Sequence, residues 1–419
     1  DPGVYWYHPH TREDYGQEMG LYGNVIVEPA DEGYWAPVHR ELALTLDDVL
    51  IEGGRIAAFS RAGATYTAMG RFGNVLLVAG ETDLTLGARW GEVVRLYLTN
   101  TANTRVFRVA LPGARMKLVG GDSGRVEREE LVEDVVIAPS ERAVVDVLFD
   151  RPGRLALEHR TPERTYPLAS IAVAQEAAAP SLALEFEALR GDPELAGERR
   201  GLDRYLAADP DKLLAFVAEM DMGDAGAAGP YMCPMHPDVV SDDPGKCPEC
   251  GMKLLPAALV EDAAHDHDHD HHEQDHGDAH EHADAGGIEW EDDMVEVNKL
   301  TTPENMRWKL VDRSTGAENG AIDWRFRVGE RVKIRLLNEM DSDHPMHHPF
   351  HVHGAGRFLI LARDGIAEPN LVWSDTVLVP TGQTVDILLE VTNPGRWMAH
   401  CHIAEHHESG MMFSFDVEA

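Results

Sequence analysis

Short runs rich in Val, Ile and Leu, each bounded by Gly, Pro or Asn, recur from Val25 to Ala174: GNVIVEP, NVLLVAG, EVVRLYLTN, DVVIAP and RAVVDVLF. Many short strands closed by turn residues predict an all-β sandwich or barrel. The pattern resumes at Ile288 and continues to the C-terminus through RVKIRLLN, RFLILARDG and DTVLVPTGQTVDILLEVTN. Between the two β-rich regions the composition shifts to an Ala- and Glu-rich stretch around 177–210, read as linker or helix, and LLAFVAEMDMG (213–223) then reads as a strand again. A chain of 419 residues is too long for one ordinary core, so two or three domains with linkers are expected.

Two segments break the β pattern. GPYMCPMHPDVVSDDPGKCPECGMKLL (229–255) is a compact Cys/Met/His unit. It is followed by HDHDHDHHEQDHGDAHEH (265–282), with eight His among acidic residues, a low-complexity tract that cannot bury a core and is expected to be disordered without metal.

Charge narrows the partners. With 37 basic and 73 acidic residues the formal net charge is −36, so a nucleic acid would be repelled along most of the surface, whereas cations remain suitable partners. No apolar run approaches the length that spans a bilayer, and Asp1 is neither an initiator Met nor the start of a signal peptide; the expectation is that the N-terminus was processed or left out. The four cysteines, Cys233, Cys247, Cys250 and Cys401, each have a better use than a disulfide: three sit at CxxC-type spacing and one lies between two histidines.

The candidate chemistry concentrates in HHPFHVHG (347–354) and HCHIAEHHESGMM (400–412). Successive side chains on a strand point to opposite faces, so His400 and His402 share one face and Cys401 takes the other. The same parity pairs His351 with His353 and sends His348 to the opposite side. Cys401 then has His348, His406 and Met411 available on its own side; two imidazoles, a thiolate and a weak axial thioether make the trigonal blue-copper environment used for electron transfer. On the other face His351, His353, His400 and His402 form an imidazole cluster, to which His8 and His10 of YWYHPH, sharing one strand face, can be added. An electron arriving at the Cys401 site can leave through its backbone to either flanking histidine.

In these motifs the chain resembles the three-domain multicopper oxidases, the family of laccases and bacterial cuprous oxidases: HPFHVHG (348–354) matches HPxHxHG and residues 400–411 match HCHxxxHxxxxM. The resemblance extends to YWYHPH, GLYGNVIVEP, SDTVLVPTGQTVDILLEV and NPGRW. It implies type 1 copper on His348, Cys401, His406 and Met411, type 2 copper at His351, and a type 3 pair at His8, His10, His353, His400 and His402. It also implies tandem cupredoxin-like Greek-key domains and an exported, periplasmic or secreted protein. The family needs one further HxH from a first domain upstream of YWYHPH, so the chain is expected to be a fragment that binds type 1 copper yet reduces dioxygen poorly. His407 stands where many relatives carry a glutamate thought to feed protons to the cluster; His407 itself or Glu408 could take that role.

The expected layout is residues 1–30 as a remnant of the first cupredoxin domain, 31–176 as the second, 177–210 as linker, and 211–225 with 288–419 as the third. Residues 226–258 are the metal-binding insert and 259–287 the His-rich tract. In the insert Cys233, His236, Cys247 and Cys250 suit tetrahedral zinc or a soft monovalent metal; Met232, Met235 and Met252 lean the choice towards Cu(I) or Ag(I). YMCPMHP…PGKCPECGMKL resembles the small heavy-metal-binding domain of copper and silver efflux proteins, and the plainer alternative is a zinc knuckle that stabilises only its own fold. The function expected is an oxidase of Cu(I), with phenols as the runner-up substrate and dioxygen as acceptor. Copper nitrite reductase, which needs no histidine after the cysteine, and a metal-sequestering protein are the other readings. Trp290, Trp308, Trp324, Trp373 and Trp397 are read as packing only.

Overall fold

The strand Val93–Asn100 is buried along its whole length because both edges are occupied, by Arg40–Val49 running parallel and by Arg142–Leu148 running antiparallel. These are the centre of a six-stranded sheet that faces a five-stranded one, and Leu96, Leu98, Phe107, Ile137, Val145 and Val147 fill the space between. The computed structural model describes residues 1–222, 229–265 and 286–419, and the side chains of 262–265 are outside the description. Nearly all of the poly-His tract therefore lies outside the described residues.

A second pair of sheets, seven-stranded and five-stranded, encloses a larger core built on Phe216, Trp308, Phe350, Phe358, Ile387 and Phe413. LLAFVAEMDMG supplies the strand Lys212–Met220, which lies between Met306–Asp312 and Arg331–Asn338. Chain from both sides of the Cys/His segment thus completes one sheet. The architecture is all-β, as the strand pattern predicted, with the paired, cupredoxin-like sheets that the family resemblance implied. The Ala/Glu-rich stretch forms three short helices; Asp192 caps Pro193–Arg199 by accepting from Glu194 N and Leu195 N, and Leu195 and Leu202 pack on Leu359, Leu361 and Trp373. Gly3–Tyr7 and Gly23–Val27 make a separate two-stranded sheet whose Tyr7, Val25, Ile26 and Val27 are exposed.

The strand that carries the first histidine motif, His348–Val352, lies between Thr376–Val379 and Gly395–Cys401. Its register sets Phe350 opposite Cys401 and His351 opposite His400, so each face of the ribbon carries matched residues from both motifs. Nearby, Gly356 is needed because a Cβ there would stand 1.8 Å from Glu390 O. Gly356→Ala is therefore expected to destabilise this sheet by about 1–3 kcal/mol or more, read as a lower midpoint in urea denaturation.

Candidate metal centres

On the core face of the ribbon, Cys401 Sγ lies 3.5 Å from His348 Nδ1 and 3.7 Å from His406 Nδ1, and the two nitrogens are 3.3 Å apart. A point about 2 Å from all three atoms exists at the centre of that triangle, the length of a metal–imidazole bond. His406 Nε2 donates to Ala68 O at 3.3 Å, which leaves Nδ1 as the lone-pair nitrogen. All three residues are fully buried. Burial holds both imidazoles well below the usual histidine range and pushes the Cys401 thiol far up, so a neutral trio waits for a cation that would displace the thiol proton. Met411 is buried beside them, its carbonyl accepting from Cys401 N at 3.2 Å. His348, Cys401 and His406 are thus brought together side chain to side chain, and Met411 adjoins them through its backbone.

Trp308 was read from sequence as packing alone. It is core, but it stacks on His406 at 4.1 Å and meets His348 edge-on at 4.8 Å, while Phe216 stacks on the other side of His348 at 5.0 Å. These rings fix the imidazole planes and exclude water from them. No spacing rule could find them, because Phe216 and Trp308 come from different strands of the opposite sheet.

The other face gathers the six predicted cluster histidines, His8, His10, His351, His353, His400 and His402. Ring centroids of His351–His353, His353–His400, His10–His353 and His8–His402 lie 4.5, 5.0, 4.7 and 4.9 Å apart. Second nitrogens are anchored on carbonyls: His400 Nδ1 on Cys401 O at 2.8 Å, His351 Nδ1 on Asp375 O at 2.9 Å, His8 Nδ1 on Pro9 O at 3.3 Å. This turns Nε2 inward as the ligand nitrogen. His353 Nε2 meets His400 Nε2 at 2.9 Å, and His402 Nε2 meets His8 Nε2 at 3.3 Å. Burial depresses His8 to about 4 and His353 to about 2, and holds His400 and His402 well below the histidine range, so these rings are neutral and free to ligate. A cavity of about 590 Å³ lined by Trp6, Arg142, His351, His353 and Asp375 opens onto the cluster.

Glu13 is the functional residue that the sequence reading missed. Its fully buried carboxylate sits 2.7 Å from His10 Nδ1 and 2.7 Å from His407 Nδ1. Burial would raise its pKa, but the hydrogen bonds from His10 and His407 outweigh that and hold it well below the carboxylate range; Glu13 in turn raises His407 against its own burial. Glu408 Oε1 accepts from Glu13 N at 3.0 Å. The signal available was the placement of Glu13 three residues after His10, opening the short helix Glu13–Glu18, which packs on Ala404–Glu408.

In the insert, His236 Nδ1 lies 3.7 Å from Cys233 Sγ and 3.6 Å from Cys247 Sγ, and Cys233 Sγ is 3.7 Å from Cys250 Sγ. Such edges suit a tetrahedral ion at about 2.3 Å from sulfur. The Cys250 thiol beside Cys233 favours a thiolate there, lowering its pKa to about 5.

A family model described as multicopper oxidase matches residues 291–419, the stretch that carries both histidine motifs and Cys401. Residues 291–419 are a multicopper oxidase domain. A second model, described as heavy metal binding domain, matches 231–257. The multicopper oxidase mco of Staphylococcus epidermidis is 31% identical over 123 residues, covering 29% of this chain and 27% of the relative. Laccase-14 of Oryza sativa subsp. japonica is 33% identical over 125 residues, covering 27% and 21%. The matches thus span under a third of the relatives' own length. Among solved structures, the multicopper oxidase of Campylobacter jejuni, described as a metallo-oxidase, superposes with a TM-score of 0.62 at 18% identity, covering all of this chain and 72% of that one. The laccase-like CueO of Ochrobactrum sp. gives 0.61 at 19%, covering 99% and 77%. At these identities the likeness is one of fold.

The multicopper oxidase family implies copper, and the residues of this domain fit it. A buried thiol with two imidazoles on a trigonal edge suits a soft-to-borderline ion, and six imidazoles with carbonyl-anchored second nitrogens suit the same metal.

Proposed function

We propose that the protein is an oxidase that withdraws electrons singly from a small substrate at His348, Cys401, His406 and Met411 and delivers them to dioxygen at the histidine cluster, and that its substrate is Cu(I). The observation that carries this reading is the tripeptide His400–Cys401–His402: one residue serves the buried thiol site, and both of its covalent neighbours turn into the imidazole cluster. Copper held by these residues supplies one-electron transfer at the thiol site and the reduction of dioxygen to water at the cluster.

The protein's own contributions follow from the geometry. Rings whose second nitrogens are anchored on carbonyls offer preformed ligand sets. His351 is assigned to type 2 copper. His10, His353 and His400, whose nitrogens converge, are assigned to one half of the type 3 pair, and His8 with His402 to the other half. Among the described residues the cluster is two imidazoles short of the family pattern, and a further HxH would complete it. Glu13, held as a carboxylate, accepts from His10 and His407 and has Glu408 on its backbone N–H, so His407 and Glu408 are assigned the supply of protons to the cluster. Residues 1–30, 31–176 and 211–225 with 288–419 are taken as the three cupredoxin units, with 226–258 as the insert, and export to the periplasm or outside the cell fits the family habit.

Cu(I) is preferred to phenols because His348 and His406 are both fully buried, leaving no ring edge on which an aromatic substrate could stack, and because a heavy metal binding domain interrupts the same sheet. The C. jejuni metallo-oxidase offers a precedent within the fold. A nitrite reductase needs no imidazole after the cysteine, yet His402 lies within the cluster at 3.3 Å from His8.

Three outcomes are expected. The 419-residue chain alone binds blue copper but takes up dioxygen slowly, and a longer polypeptide supplying another HxH takes it up rapidly on adding Cu(I) and at least tenfold more slowly with a phenol. Rapid uptake by the 419 residues alone, or a preference for phenols, would refute the respective part. In an oxygen-electrode assay at substoichiometric Cu(I), Cys247→Ser is expected to raise the KM for Cu(I) while leaving the blue absorption intact.

A further inference from the structure

None of the four cysteines is in a disulfide, yet the sulfurs of Cys233 and Cys250 are in van der Waals contact, 3.7 Å apart across a separation of 17 residues. Two features of the insert create that contact. Cys233 follows the strand Tyr231–Met232, which lies between Val240–Ser241 and Leu255–Pro256. Cys250 sits in a turn closed by Gly251 N donating to Cys247 O at 2.9 Å and Cys247 N donating to Met252 O at 2.7 Å. Cys247, the other half of the CxxC, turns its sulfur to His236 Nδ1, at 3.6 Å.

Exposure ranks the thiols. Cys233 and Cys247 are buried, at 0% and 2%, whereas Cys250 is half-buried and meets solvent. Cys401 is enclosed between His348 and His406 in a different core and is out of reach. A small oxidant therefore meets Cys250 first and finds the sulfur of Cys233 directly behind it. A disulfide measures about 2.05 Å between sulfurs, so closure from 3.7 Å takes a movement of about 1.7 Å, within the swing of a side chain. The thiolate is the form of cysteine that ligates a metal. Joining Cys233 to Cys250 removes two of the four ligands at this site and leaves His236 and Cys247.

We propose that Cys233 and Cys250 are a redox switch in the insert: a hydroperoxide converts them to a disulfide, and the site gives up its metal. With hydrogen peroxide, the Cys250 thiol attacks one oxygen; a sulfur–oxygen bond forms, the oxygen–oxygen bond breaks, and the far oxygen leaves as water. Cys233 Sγ then attacks Cys250 Sγ; the sulfur–sulfur bond forms, and the sulfenic oxygen leaves as a second water with the Cys233 proton. Two thiols lose two electrons, and the peroxide gains them. A dithiol reductant reverses the step by exchange. Bound metal engages both sulfurs and blocks the first attack, so the insert empties under oxidant only as fast as its ion dissociates, and refills under reductant. The inference is independent of the oxidase reading, since it uses no residue of 291–419.

The test uses the copper-free 419-residue chain, one sample stripped of metal and one loaded with Zn(II), a redox-silent probe, in a chelator strong enough to strip the His-rich tract. Both are exposed to hydrogen peroxide, quenched with N-ethylmaleimide and digested for mass spectrometry. The stripped chain is expected to yield peptides joined through Cys233 and Cys250, with Cys247 alkylated, at least tenfold faster than the loaded chain. Zinc held per chain is expected to fall by one as the bond forms and to return on adding a dithiol and fresh Zn(II). Cys247→Ser is expected to keep the cross-link, and Cys233→Ser to lose it and accumulate oxidised Cys250. A cross-link between Cys247 and Cys250 or between two chains, over-oxidised cysteines without any cross-link, or a zinc count that the bond leaves unchanged would each overturn the switch.

Discussion

Cys401→Ser is expected to remove the blue absorption of the copper-loaded chain and to lower Cu(I)-dependent dioxygen uptake, in a polypeptide that carries the complete cluster, by at least three orders of magnitude, about 4 kcal/mol in barrier. The argument is geometric. Cys401 contributes the one soft anionic ligand of a buried triangle whose other corners are imidazoles, and a serine hydroxyl there neither ionises for copper nor carries thiolate-to-metal charge transfer. Serine leaves the backbone link to His400 and His402 in place, so the variant separates loss of the thiolate from loss of the fold. Retained colour, or uptake within tenfold of the parent, would show that electrons do not pass through this residue.

The second large effect concerns the joint between the β-rich regions. Arg142, buried to 1% of its surface, makes two 2.6 Å hydrogen bonds to Asp375 and also donates to Val4 O, Ser140 O and Asp122 O. Asp375 in turn borders His351, and Asp122 accepts from Arg142 N, Asp375 N and Thr376 N. Burial pushes Asp122 up to about 8, whereas Arg142 overrides burial at Asp375 and holds it well below the carboxylate range. Arg142→Met leaves the Asp375 carboxylate without its cation, and a loss of about 3–5 kcal/mol is expected. Denaturant titration measures it. Adding Asp375→Asn to Arg142→Met should recover part of the loss, since the pair is coupled. A loss under 1 kcal/mol, or strict additivity, would mean that the network is not what holds His351 in place.

How far the sequence carried can be judged residue by residue. Strand parity placed His348 with Cys401, and His351 with His400, because alternation along a strand is a property of the backbone alone, and the observed register agrees. The CxxC-type spacing gathered the insert cysteines for a similar reason: the ligands lie within one small turn-rich unit. Glu13, Trp308 and Arg142 were not legible, since each reaches its site across long stretches of chain; Glu13 meets His407 only once the sheets have packed. The Ala/Glu-rich linker was read loosely, because three helices of five to seven residues carry too little periodicity to be distinguished from a loop.

The most direct test of the central claim, that one strand carries a thiolate copper site on one side and an imidazole cluster on the other, is the electron paramagnetic resonance spectrum of the 419-residue chain loaded with a single equivalent of Cu(II). The geometry predicts an intense blue colour with narrow copper hyperfine splitting, because the unpaired electron is shared with Cys401 sulfur, and conversion to a colourless, widely split signal in Cys401→Ser as copper moves to imidazoles. A colourless, widely split signal in the parent, unchanged by that substitution, would contradict the account.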